Sequence, residues 1–141
     1  MWKMKCCLAT LIAATVLWSS GASAQSGRLI VELNKFETIE NGCRTFFLFR
    51  NRTDITFQGF EMSLAILDKQ GVIDRLLTVD AAPLKAERTT LKLFEIPETQ
   101  CESIGEILLH DIAKCEPEQG GPLDCFTIID LKSRAAAPLV K

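Results

Sequence analysis

Tyrosine is absent, histidine occurs once, and both tryptophans, Trp2 and Trp18, sit near the start of the chain. The rest of the protein therefore has none of the Tyr or Trp anchors that dominate many protein-recognition hot spots. No Cys-x-x-Cys occurs, and with His110 as the sole imidazole the ligand spacing of a zinc site fails. Neither G-x-x-x-x-G-K nor G-x-G-x-x-G is present. Nothing is built to cradle a phosphate, and no cofactor is expected.

Long apolar runs are lacking as well. The best one, 6–18, has about 13 residues, where crossing a bilayer takes about 20. Lys3 and Lys5 precede it and Ala22-Ser23-Ala24 follows it. A positive start, a short apolar stretch and a small-x-small site make residues 1–24 read as a signal peptide, cut between Ala24 and Gln25. After cleavage no stable membrane span is left. No Arg-Arg pair marks a twin-arginine route, and Cys6 and Cys7 stand ahead of the apolar run, not behind it as a lipoprotein requires. Export to the periplasm, or out of the cell, is the expectation.

Cleavage changes the composition. Of 16 basic residues, Lys3 and Lys5 are lost, leaving 14 against 18 acidic ones, a net charge near −4. That sign argues against nucleic acid or an anionic membrane as the partner. The eight phenylalanines become the aromatic supply of the core, and four cysteines remain, Cys43, Cys101, Cys115 and Cys125. An even set bound for an oxidising compartment reads as two disulfides.

From Arg28 onward, short apolar runs alternate with turn signals, the spacing of a β-sandwich. Seven strands are expected: 29–36, 43–50, 57–67, 72–79, 89–96, 104–112 and 126–132. The third is the clearest, with Phe60, Met62, Leu64 and Ile66 on one face against Glu61, Ser63 and Ala65 on the other. In the second, Phe46, Phe47, Leu48 and Phe49 follow one another, so both faces need cover and the strand belongs inside a sheet. Asn41-Gly42 signals one hairpin, and Asp68-Lys69-Gln70-Gly71 a second, closed by a left-handed glycine. Segment 80–88, with Pro83, reads as a crossover loop. For 104–113 a helical stripe competes, and the surrounding β-pattern favours a strand. The domain is expected to span 25–134, with 135–141 a disordered tail.

An antiparallel pairing of the second and fifth strands brings Cys43 close to Cys101. A hairpin between the sixth and seventh brings Cys115 to Cys125. Four cysteines allow three connectivities, and this one is the expected pairing.

Gly42-Cys43-Arg44 before an aromatic strand, Arg50-Asn51, Leu67-Asp68-Lys69-Gln70-Gly71-Val72, Arg75-Leu76-Leu77, Cys101 and Ile112-Ala113-Lys114-Cys115 together resemble a group of uncharacterised exported proteins of alphaproteobacteria. The resemblance covers roughly 29–133. It implies a periplasmic, immunoglobulin-like (Ig-like) antiparallel sandwich and carries no activity with it. Unlike antibody domains, the chain has no core tryptophan and no corner tyrosine, and its cysteines flank strands.

Chemistry is thinly represented. Nucleophilic catalysis needs a base and a group to orient it. His110 has Asp111 beside it, but strand neighbours point to opposite faces. Among Leu108, Leu109 and Ile112 it reads as a half-buried packing residue. Glu61, Asp74, Glu95 and Glu106 read as the wet side of alternating strands, and Asn51-Arg52-Thr53 as a plain turn despite matching a glycosylation sequon. The densest basic cluster is Arg44, Arg50 and Arg52. Alternation sets Arg44 and Arg50 on the face of Phe46 and Leu48, a patch suited to protein binding. By elimination, the expected role is non-catalytic: a periplasmic binding or assembly module engaging another envelope protein. The alternative is a small secreted enzyme or ligand carrier using His110.

Overall fold

A computed structural model describes residues 27–141; the expected signal segment and its cleavage site lie outside these. The strands are β1 (Leu29–Ile39), β2 (Gly42–Asn51), β3 (Phe57–Asp68), β4 (Ile73–Asp80), β5 (Thr89–Pro97), β6 (Ile104–Pro117), β7 (Ile129–Ser133) and β8 (Leu139–Val140). A 3₁₀ turn, Cys101–Ser103, precedes β6, and a one-turn helix, α1 (Cys125–Ile128), precedes β7. Two four-stranded sheets form an Ig-like sandwich. Sheet A runs β5-β2-β1-β7 and sheet B runs β4-β3-β6-β8.

With no tryptophan or tyrosine to use, phenylalanine fills the space between the sheets. Phe47 and Phe49 of β2 are buried beside Phe57 and Phe60 of β3. Phe49 meets Phe60 edge-on across the sandwich with ring centroids 6.3 Å apart, and Phe57 meets Phe60 at 5.8 Å, the tilted geometries that ring quadrupoles favour. Leu29, Val31 and Leu33 of β1, Met62, Leu64 and Ile66 of β3, and Ile107 and Leu109 of β6 complete the core. As expected, β2 is internal, between β1 and β5.

Two glycines are conformationally necessary. Gly71, at φ +79°, closes the β3–β4 hairpin in the left-handed region, with its N–H donating to Asp68 O at 3.0 Å. At Gly42 the backbone of β5 passes so close that a Cβ would lie 2.2 Å from Ile96 O.

The chain after Cys115 departs from expectation. β7 makes no hairpin with β6; it lies in the other sheet, parallel to β1, with Leu29 opposite Ile129. The switch is made by α1, whose start is capped by the Asp124 carboxylate accepting from Phe126 N at 3.1 Å. One turn is too short to show a helical period, so 126–128 reads as strand from sequence alone. The expected disordered tail at 135–141 is also corrected. Ala137 and Leu139 are buried, and β8 pairs parallel with β6, adding an eighth strand. Ser133 Oγ donates to Ala137 O at 2.6 Å, and Lys141 Nζ donates to Ile129 O at 2.7 Å. These bonds hold the tail across the gap between the sheets. Segment 104–117 is a strand throughout, not a helix.

On the opposite side of the sandwich, the edge strands β4 and β5 are joined by inward-reaching cations. Lys92 Nζ of β5 donates to Ala82 O beyond β4 at 2.9 Å, and Arg75 of β4 donates to Pro97 O at the end of β5. Inward charges of this kind discourage edge-to-edge sheet growth.

Candidate functional site

The outer face of sheet A carries the patch expected from β2. Arg44, Phe46, Leu48 and Arg50 are all half-buried on the side away from the core. Register sets Leu93 of β5 opposite Phe46 and Leu91 opposite Leu48. Leu91 is 53% exposed and Leu93 47%, so four apolar side chains form one strip over two strands. Sequence reading missed the two leucines. The alternation of Thr89, Leu91 and Leu93 marks a strand face, but only the edge position of β5 leaves that face open.

The arginines do not stand free. Arg44 is held between carboxylates from both neighbouring strands, Glu37 Oε1 at 2.8 Å and Glu95 Oε1 at 2.9 Å. Arg50 approaches Glu32 at 3.4 Å, and Arg134, beyond β7, approaches it from the other side at 3.3 Å. Lys35 sits over the Phe46 ring, 4.5 Å from its centroid, a cation–π contact. Beyond β2, then, the strip is bordered by Lys35, which pairs with Glu37 at 3.7 Å, by Lys132, opposite Glu32 in register, and by Arg134. Arg52, the third member of the basic cluster, follows β2 as an exposed residue.

Glu32 is unusual for a solvent-side strand position because it is only 2% exposed. The residue after Leu33 is extra in the β1–β2 register, and that residue, Asn34, donates from its side chain to Glu32 Oε1 at 2.9 Å. This hydrogen bond, followed by the charges of Arg50 and Arg134, lowers the Glu32 pKa against the opposing effect of burial. A folded-state pKa below the unfolded one means stability that is present above the unfolded value, about 4.3, and lost as pH falls through the folded value. Glu32→Gln should destabilise the protein at pH 7 by about 1–2 kcal/mol. In thermal melts across pH the difference from wild type should shrink toward acid; an equal difference at pH 7 and pH 2 contradicts the assignment.

His110 does not occupy the half-buried packing position expected of it. It is exposed, at the break in the β3–β6 register between Leu109 and Asp111. Asp111 uses a carboxylate oxygen on the N–H of Ile112 at 2.8 Å. A cleft of about 570 Å³ lies between the β1–β2 turn and the segment after β5; Glu40, Glu98, Thr99 and Glu102 line it, and His110 does not. Among the described residues, no group of three or more His, Cys, Asp or Glu side chains is placed to hold a metal ion. No helix among them is long and apolar enough to cross a membrane.

Both expected disulfides are present. Cys43–Cys101 has Cα atoms 5.0 Å apart, and Cys115–Cys125 has them 6.2 Å apart. The first follows from the β2–β5 pairing, which sets Cys43 opposite Ile96. The second ties β6 of sheet B to α1, so it braces the crossing between sheets and not a hairpin.

No protein-family model matches the chain, and no curated protein does. The chain is similar in structure to IrmA from Escherichia coli, with 20% of residues identical, 74% of this chain and 90% of that chain covered, and a TM-score of 0.54. At that identity the likeness is one of fold alone.

Proposed function

We infer that this protein is a non-catalytic binding or assembly module of the bacterial cell envelope, in the periplasm, that engages another protein molecule through the outer face of sheet A. The observation that carries this reading is the strip of Phe46, Leu48, Leu91 and Leu93, with two leucines about half exposed on a rigid, disulfide-braced sheet. A sandwich needs only its inner faces apolar, and an outer face of this composition favours a partner. Two disulfides favour an oxidising compartment, and the signal-peptide pattern of residues 1–24 supports the periplasm.

Crosslinking the tagged protein in its native envelope tests the reading. The protein should form a discrete crosslinked species, which Phe46→Asp and Leu48→Asp should each reduce by at least about tenfold, the effect of about 1.4 kcal/mol or more. Both side chains are half-buried on the outer face, so the variants should keep the wild-type fold by circular dichroism. An undiminished species from both variants would remove the sheet A face from consideration.

A further inference from the structure

The outer face of sheet B mirrors that of sheet A in two respects. It too carries an apolar row, since register aligns Leu76 of β4, Ala65 of β3, Leu108 of β6 and Val140 of β8 across all four strands. Leu76 is 64% exposed, the most open large apolar side chain among the described residues. Below this row, toward the start of β3, the face turns acidic. Glu61 aligns with Asp80, Ser63 with Asp111 and Gly59 with Glu116, and Lys114 is the basic residue among them. Sheet A has the opposite balance. Around its apolar strip Lys35, Arg44, Arg50, Lys132 and Arg134 outnumber the carboxylates beside them, Glu32, Glu37 and Glu95, of which Glu32 is buried.

We propose that the molecule engaged by the sheet A face is a second copy of this chain, presenting the outer face of its sheet B. This rests on the sheet A face being an interface, as argued above. Because two different faces meet, the contact is heterologous: each added copy leaves one face of each kind uncovered, and assembly continues past the dimer. The opposed charge balances of the two faces make it weaker at high salt.

Sedimentation velocity over a concentration series tests this with the purified protein, Leu93→Asp on sheet A and Leu76→Asp on sheet B. Both positions are open to solvent, and thermal melts should match wild type. Wild type should grow past two copies as concentration rises, while each variant alone stays a single chain. Mixed in equal amounts, the variants should form a dimer that stops at two, because each supplies the face the other has lost. Wild type that stays single, wild type that stops at two, or variants that ignore each other when mixed overturns the proposal. If wild type stays single while Phe46→Asp still abolishes the crosslinked species in the envelope, the sheet A face stands as an interface and the second copy is the wrong occupant.

Discussion

Replacing Cys43 and Cys101 together by alanine should lower the unfolding free energy by about 4 kcal/mol. The bridge closes a sequence separation of 58, and the conformational entropy it removes from the unfolded chain grows with that length. Both cysteines are buried at the end of the sandwich where β2, β5 and the turn into β6 meet. The pair Cys115 and Cys125, separated by 10 residues, should contribute about 3 kcal/mol by the same reasoning. Against the ~5–15 kcal/mol that holds a typical domain together, losing both should leave the protein largely unfolded. Urea unfolding of the two double-alanine variants measures each term. A midpoint equal to wild type for Cys43→Ala with Cys101→Ala would mean that this bridge braces nothing the rest of the core does not already hold.

The second large effect is expected at Asn51, which is 1% exposed at the end of β2. Its side-chain amide donates to the carbonyls of Ile55 at 2.7 Å, Lys85 at 3.1 Å and Leu84 at 3.3 Å, and its oxygen accepts from Thr53 Oγ1 at 2.6 Å and Thr53 N at 3.0 Å. One residue thus ties the β2–β3 connection to the crossover between β4 and β5. Asn51→Ala removes all these bonds at once; Leu84 O still accepts from Phe57 N and Ile55 O from the Thr53 hydroxyl, which leaves the Lys85 carbonyl and the buried Thr53 N–H without their partner, at about 1–3 kcal/mol for each group left unsatisfied. A loss of about 3 kcal/mol is expected, with Thr53→Ala costing less because fewer groups are orphaned. A denaturation midpoint within error of wild type for Asn51→Ala contradicts this role. Burial also means that the Asn51 amide is spent inside the protein, so the sequon it opens serves as a turn.

Much of this arrangement is legible in the residues. Strict alternation from Phe60 to Ile66 assigns one side of β3 to the core, and the chemistry of Asp68 to Gly71 requires the tight turn that follows. Consecutive large apolar residues at Phe46 to Phe49 place β2 inside its sheet and divide the pairs between core and outer face. The candidate face was legible to the extent of Arg44, Phe46, Leu48 and Arg50. Its leucines and its buried carboxylate were not. Glu32 looks like any solvent-side glutamate until β2 and the tail bring Arg50 and Arg134 over it.

His110 shows the same limit in another form. Its exposure depends on a break in strand register, and register is a relation between two strands that no single stretch of residues specifies.

The sequence by itself determined the class of the fold, the two hairpin turns at Asn41-Gly42 and Asp68 to Gly71, which side chains of β2 and β3 share a face, and the four cysteines as two bridges. Period-two alternation and turn chemistry are local, and a local rule can be read along one strand. Tertiary structure alone decided that β7 joins sheet A in parallel, that the tail closes the other sheet as β8, and that leucines on an edge strand lie open beside Phe46. Those outcomes depend on which strand lies next to which. That is settled by burying one continuous core between two sheets, a condition that only the whole chain can satisfy.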